Sequence, residues 1–250
     1  MKLSVVIPVY NEAATIAALI GRVQAVDVPK EVIVVDDGSN DGTRQVHKEL
    51  EGRYDNLRVI LQLKNQGKGA ALRVGFKQAT GDFVLVQDAD LEYDPTDYPV
   101  LLKPLIEGKA DVVYGSRFLT TKEHRVLFFW HSVANGLLTL LSNMLSDLNL
   151  TDMETGFKVF RSSVLKDLHL QSDRFGFEPE ITARIAQRGC RIYEVPISYH
   201  GRDYAAGKKI TWRDGVAALG HILRFNLTRM PRPRPLAPHR VVHRPEHVHA

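Results

Sequence analysis

Asp88, Asp90 and Glu92 place three carboxylates at alternate positions of one short segment. In an extended chain, side chains at i, i+2 and i+4 share a face. Carboxylates gathered on one face repel each other unless a cation neutralises them. An all-oxygen ligand set suits a hard divalent ion, Mg2+ or Mn2+. Mg2+ commonly takes one or two carboxylates and completes its shell with substrate phosphates, so the spacing points to a phosphate-bearing substrate. Taken alone, the same motif also reads as a solvated acidic turn.

Other residue types that could do chemistry are spread along the chain. Gly67 and Gly69 permit close approach of the backbone to a ligand, and Lys68 between them could reach a phosphate. The segment is not a Walker loop, because the Gly-Lys-Ser/Thr ending is missing. Arg117, Arg202, Lys208 and Lys209 are candidate phosphate binders, the arginines through their planar fork. Glu154 and Glu178 are spare carboxylates of the second half. Either of them, or Asp152, could be a general base if a hydroxyl has to be activated.

These residues need elements to position them. Leu3–Val9, Val32–Val35, Leu57–Leu61 and Phe83–Val86 are short apolar runs bounded by turn residues, and read as strands. Between them lie helices: one with Ile16, Leu19, Ile20 and Val23 at helical spacing, capped by Asn11, a polar one ending about Leu50, and one over Lys68–Ala79. Strand–helix alternation of this kind predicts an α/β fold with a mostly parallel, doubly wound sheet and helices on both faces. Ligands of such sheets sit beyond the carboxyl ends of the strands. Asn11-Glu12, Asp36-Asp37 and Asp88-Ala89-Asp90 all follow strands at that edge. Further on, Val112–Tyr114, Lys158–Arg161 and Ile192–Val195 read as strands, and Arg213–Asn226 as a helix.

Val126–Leu145 reads as an amphipathic helix rather than a membrane span. Ser132, Asn135, Thr139, Ser142, Asn143 and Ser146 form a polar stripe at steps of three and four, with Trp130, Leu137, Leu138, Leu141 and Leu145 on the wide apolar remainder. Such a helix suits a membrane interface, the sheet, or another subunit equally.

The 250 residues, 44% hydrophobic and 25% charged, suit one large soluble domain, taken as residues 1–230. Residues 231–250, rich in proline, arginine and histidine, are expected to be a disordered tail. Four arginines against one glutamate there supply three of the chain's net four positive charges, so the body is nearly neutral and no nucleic-acid partner is expected. The one cysteine, Cys190, excludes an internal disulfide and a multi-cysteine metal site and suits a reducing compartment. The N-terminus reads as a buried strand rather than a signal peptide. The expected location is cytoplasmic, peripheral to the cytoplasmic membrane face if the amphipathic helix is interfacial.

Four segments occur in an order shared by one enzyme family: Val5-Val6-Ile7-Pro8-Val9-Tyr10-Asn11-Glu12, Val34-Val35-Asp36-Asp37-Gly38-Ser39-Asn40-Asp41-Gly42-Thr43, Asn65-Gln66-Gly67-Lys68-Gly69-Ala70-Ala71 and Asp88-Ala89-Asp90-Leu91. With them the chain resembles glycosyltransferase family 2, of the A-type (GT-A) fold. Tyr114-Gly115-Ser116-Arg117, Asp152–Phe160, Phe175–Glu178 and Val195–Arg202 resemble, more loosely, the polyprenyl-phosphate members, the dolichyl-phosphate mannose and glucose synthases. Gly207-Lys208-Lys209 departs from their Gly-x-Ser-Lys, and no spanning segment follows the catalytic region.

The resemblance implies a nucleotide-binding half of about residues 1–120 and an acceptor half of about 121–230. It implies an inverting transfer of a hexose from a UDP- or GDP-linked sugar to a polyprenyl phosphate, with a glycan or small-molecule hydroxyl as the alternative acceptor. A catalytically silent membrane-associated binding subunit is the alternative of another class. Pro8, Tyr10 and Glu12 would line the nucleotide pocket, and Asn11 and Ala89, inside the matching segments, are counted with them. Asp36 or Asp37 would accept a hydrogen bond from a base ring N–H, which suits uracil or guanine. Asp88, Asp90 and Glu92 would hold the metal, and Asp90, Arg117, Arg202, Glu154 and Glu178 would serve the chemistry. A membrane surface, a homodimer and a membrane-protein partner stay open.

Overall fold

The structure is a computed structural model that describes residues 1–119, 128–201 and 212–228, without the side chains of 212–214. Arg202, Lys208, Lys209 and the 231–250 tail, singled out above, lie outside the described residues.

In chain order the elements are β1 (Leu3–Val9), α1 (Ile16–Ala25), β2 (Lys30–Asp36), α2 (Thr43–Glu51), β3 (Leu57–Leu61), α3 (Lys68–Gln78), β4 (Phe83–Val86), a 3-10 turn (Pro95–Asp97), α4 (Tyr98–Ile106), β5 (Val112–Ser116), α5 (Phe129–Ser146), β6 (Lys158–Arg161), α6 (Ser162–Lys166), α7 (Phe177–Gln187), β7 (Ile192–Pro196) and α8 (Trp212–Leu227). The strands form one seven-stranded sheet in the order β3-β2-β1-β4-β6-β5-β7. β6 runs antiparallel to both β4 and β5, and the other pairs are parallel.

The central strands are covered on both sides, which is why their sequences are continuous apolar runs. On β1, Leu3, Val5, Ile7 and Val9 face a core shared with Ile16, Leu19 and Ile20 of α1 and Tyr98, Leu101 and Leu105 of α4. Val6 points the other way, into a core with Leu72 of α3, Phe177 and Ile181 of α7 and Ile222 of α8. The helices thus lie on both faces, as the alternation predicted.

Three helices escaped the sequence reading: the five-residue α6, too short to show a period, and the longer α4 and α7. α4 carries Pro99 in its first turn and Pro104 near its end, and proline normally argues against a helix interior. α7 is buried over every residue from Phe177 to Ile185, so no polar face marks its period. Asn11, expected as the cap of α1, is not the cap. Thr15 precedes that helix, and Asn11 sits in a left-handed turn (φ 55°).

α5 turns its polar stripe inward. Its buried residues are Thr139 and Ser142, and Asn143 exchanges hydrogen bonds with Leu150 through its side-chain amide (2.8 and 3.0 Å). The outward face carries Trp130, Leu137, Leu140 and Met144, 56–76% exposed. No helix among the described residues is long and apolar enough to cross a membrane.

Candidate active site

The loops after β1, β2, β3 and β4 meet at the carboxyl edge of the sheet. Asn11 stitches the first two together: its N–H donates to Ser39 Oγ (3.0 Å), and its Oδ1 accepts from the Asn40 N–H (2.9 Å). The Glu12 N–H donates to Thr43 Oγ1 (2.9 Å), and the Glu12 carboxylate accepts from Thr15 Oγ1 (2.8 Å). Tyr10 is exposed beside them and Pro8 is partly exposed.

Asp36 and Asp37 divide their work. Asp36 is fully buried, accepts from the Ser39 N–H (3.0 Å) and Arg44 Nε (2.9 Å), and lies 3.4 Å from His47 Nε2. Burial opposes its charge, but the donors from Ser39 and Arg44 outweigh it and lower its pKa. Its carboxylate organises the β2 loop and does not face solvent, and Asp37 beside it is buried as well. The two Asp37 oxygens accept the N–H groups of Gln66 (2.8 Å) and Gly67 (2.7 Å), tying the loop before α3 to the β2 edge.

The glycines expected to admit a ligand admit another stretch of backbone instead. A Cβ on Gly67 (φ +104°) would stand 2.3 Å from the Asp173 carbonyl oxygen, and one on Gly69 2.2 Å from that of Ser172. The Ala70 N–H donates to Asp173 O (3.0 Å). The segment before α7 is therefore laid across the start of α3, which brings Glu178 over Lys68.

After β4 the chain does not stay extended. It turns at Ala89-Asp90, and Leu91 takes φ +63°, so the three-carboxylate face expected from alternate spacing is not formed. Among the described residues no three carboxylate, histidine or cysteine side chains converge as a metal group. Glu92 points to the Tyr199 hydroxyl, which donates to it (2.6 Å). Ala89 packs into the core, so only its backbone is available at the edge. Asp88 faces Lys68, whose Nζ is 2.8 Å from Asp88 Oδ1 and 2.8 Å from Glu178 Oε1. An ammonium already standing against Asp88 shows that this corner suits a cation, and the pair Asp88 and Asp90 with donor phosphates is a set that a hard divalent ion accepts.

Gly156 leaves the room that Asp88 occupies: a Cβ there would fall 2.2 Å from Asp88 Oδ2 and 2.8 Å from the Tyr93 ring. Gly156→Ala is expected to lose about 1–3 kcal/mol by overpacking. Denaturant unfolding of the two proteins checks this, and equal midpoints would refute it.

The second half contributes charge from three directions. Arg117, at the end of β5, donates from Nε and Nη2 to the two oxygens of fully buried Asp152 (both 2.7 Å) and from Nη2 to Asn135 Oδ1 on α5 (3.2 Å). Its guanidinium lies 5.3 Å from the Tyr199 ring centre. Burial opposes the Arg117 charge, but Asp152 holds its pKa well above the usual value. Lys158 of β6 is buried, donates to the Thr155 carbonyl and stands over the Tyr114 ring; burial lowers its pKa. Glu154 Oε1 is inaccessible and has no hydrogen-bond partner. Burial, then the charge of Glu178, raises the Glu154 carboxyl well above the usual carboxylate range.

The structure thus gathers Asp37, Lys68, Asp88, Asp90 and Glu178 at one edge, with Arg117 and Glu154 beside them, and leaves Glu92 to Tyr199. Asn135, Lys158 and Tyr199 belong to the same neighbourhood and were not named as site residues from sequence. A lysine inside an apolar strand was the available signal for Lys158; the polar stripe marked Asn135 only as part of a helix face, and Tyr199 only as part of a matching segment.

The comparisons follow this geometry. Residues 4–169 match a family model described as glycosyl transferase family 2. A dodecaprenyl-phosphate galacturonate synthase of Rhizobium johnstonii is 29% identical over 83% of this chain, which spans only 62% of that relative. An undecaprenyl-phosphate mannosyltransferase of Micrococcus luteus is 29% identical over 83% of this chain and 87% of its own length. A solved glucosyl-3-phosphoglycerate synthase from Mycobacterium tuberculosis, in complex with Mn2+, UDP and phosphoglyceric acid, superposes with a TM-score of 0.69 at 22% identity, over 90% of this chain and 78% of its own.

Proposed function

This chain belongs to glycosyltransferase family 2, and from that premise we propose that it transfers a hexose from a UDP- or GDP-linked sugar to a polyprenyl phosphate, inverting the anomeric carbon. Asp88 and Asp90 would hold a Mg2+ or Mn2+ ion, which when bound supplies positive charge to the departing diphosphate. Pro8, Tyr10, Asn11, Glu12 and Asp37 surround the place for the nucleoside, with the Ala89 backbone beside them. Arg117 offers charge on the acceptor side; Arg202, to which the resemblance gives a like role, lies outside the described residues. An acceptor phosphate oxygen attacks the anomeric carbon as the bond to the diphosphate breaks. Positioning and stabilisation of developing charge are then the protein's work.

The observation that carries the lipid acceptor is the outward apolar face of α5, a helix without a single Asp, Glu, Lys or Arg in 18 residues. Packed beside it, α8 exposes Val216, Leu219, Leu223 and Leu227. An apolar patch of this kind marks an interaction surface, and helices with polar and apolar faces lie in membrane interfaces. The inner face of the same helix holds Arg117 through Asn135, so a lipid surface would meet the protein next to the acceptor side. The relatives named for dodecaprenyl and undecaprenyl phosphate agree with this reading.

The carboxylates also favour a phosphate over a hydroxyl. Glu178 is held by Lys68, Asp152 is held by Arg117, and Glu154 Oε1 is inaccessible, so none of the three stands free to take a proton from a hydroxyl. A phosphate monoester, with a second pKa near ~6, needs no general base.

The experiment is release of nucleoside diphosphate from a panel of UDP- and GDP-sugars with Mn2+ or Mg2+, with and without polyprenyl phosphate in vesicles. Release that requires both metal and lipid phosphate is expected. Leu137→Glu with Met144→Glu should lower lipid-dependent release and vesicle co-sedimentation together. Release indifferent to lipid phosphate would overturn the acceptor assignment.

A further inference from the structure

Lys68 stands where a helix does not favour a cation. It is the first residue of α3, and the amino end of a helix carries partial positive charge. Two carboxylates nevertheless hold its ammonium, Asp88 at 2.8 Å and Glu178 at 2.8 Å. Both are fixed. Asp88 lies against Gly156, and Glu178 lies in the first turn of α7, where a negative charge is favoured. The backbone of Lys68 is equally fixed, between Gly67 and Gly69 pressed against residues 172 and 173. One flexible side chain therefore joins the β4 edge, where the donor is assigned, to α7 in the acceptor half.

We propose that Lys68 is a tethered counter-cation that competes with the divalent ion for Asp88 and, once displaced, remains paired with Glu178. The inference rests on the donor-site reading in one respect, that Asp88 is a ligand of that ion. A divalent ion approaching Asp88 meets an ammonium in contact with the same oxygens, and the two positive charges repel. Lys68 then loses one of its two partners and keeps the other. Metal binding is made harder in the absence of donor, and its arrival alters the charge balance around Glu178.

The opposing signs of two variants test this. Binding of Mn2+ alone to the full chain, followed by the electron paramagnetic resonance of free Mn2+, is expected to tighten in Lys68→Gln by roughly fivefold to tenfold. Lys68→Arg, which keeps the charge, should stay close to the parent. In Glu178→Gln the ammonium is left with Asp88 as its single carboxylate, and Mn2+ binding should weaken several-fold. Thermal melts of each variant confirm the fold, and the two substitutions keep the test decisive if one of them fails to fold. Mn2+ binding unchanged or weaker in Lys68→Gln, or unchanged in Glu178→Gln, overturns the inference. Asp88→Asn separates it from its premise: if Asp88→Asn abolishes binding while the other variants change nothing, the competition is wrong and the metal site stands. If Asp88→Asn binds Mn2+ like the parent, Asp88 is not a ligand and both readings fall.

Discussion

Asp90→Ala is expected to lower nucleoside diphosphate release by about 10²–10³-fold, the scale on which loss of one preorganised electrostatic group slows a reaction. Asp88 and Asp90 are the two carboxylates that the turn after β4 leaves at the carboxyl edge, since Glu92 is taken by Tyr199. A diphosphate leaving group carries charge that these residues cannot themselves neutralise. In the proposed reading they act by holding a cation, so removing one would raise the barrier at the step where that charge develops. The Asp90 carboxylate also accepts from the Glu92 N–H (3.1 Å), a local turn contact worth about 1 kcal/mol. A thermal melt of the variant beside the parent separates a loss of fold from a loss of rate. Asp90→Asn, which keeps the turn acceptor, separates the two effects. Activity of either variant within tenfold of the parent, at saturating Mn2+ and donor, would remove Asp90 from the chemistry.

Asp152→Ala should act on the fold instead. Asp152 is fully buried, and two of its hydrogen bonds to Arg117 are 2.7 Å long. Removing it leaves a largely buried guanidinium unpaired, a change that costs about 3–5 kcal/mol. For a chain of this size each kcal/mol shifts Tm by roughly 2–4 °C, so a drop on the order of 10 °C is expected in a thermal melt. Arg117→Met combined with Asp152→Ala should recover part of that loss, because no orphaned charge remains. A shift below ~2 °C would show that the pair is well solvated, contrary to its burial. The Arg117 variant is also expected to lose activity if, as proposed, its guanidinium supplies charge to the acceptor.

Much of this molecule can be read locally. The strands announce themselves as short β-branched runs, and β1, β3, β4 and β6 begin and end where the residues suggested. Parallel order follows from alternation, and the parallel sheet places the polar clusters at one edge. What failed locally failed for definable reasons. Alternate spacing of Asp88, Asp90 and Glu92 implies a shared face only if the chain is extended, and Leu91 at φ +63° ends that condition. Gly67 and Gly69 marked a close approach correctly in kind, but the approaching group is backbone more than a hundred positions later, which no window of sequence contains.

α5 shows the division most clearly. Its sequence determines that it is a helix with one polar and one apolar side, because that follows from a period of 3.6 residues. Which side faces inward is decided by partners distant in the chain. Arg117 and the backbone of residues 150 and 153 offer hydrogen-bonding groups that Asn135, Asn143 and Thr139 satisfy, and buried polar groups left unsatisfied cost more than exposed leucines. In the same way the sequence determined that this chain carries the carboxylates, the lysine and the arginine of its site. Only the tertiary structure decided that Lys68 joins Asp88 to Glu178, that Asp36 serves its own loop, and that Glu92 leaves the cluster, because each of those outcomes depends on which donor the fold brings within 3 Å of a carboxylate.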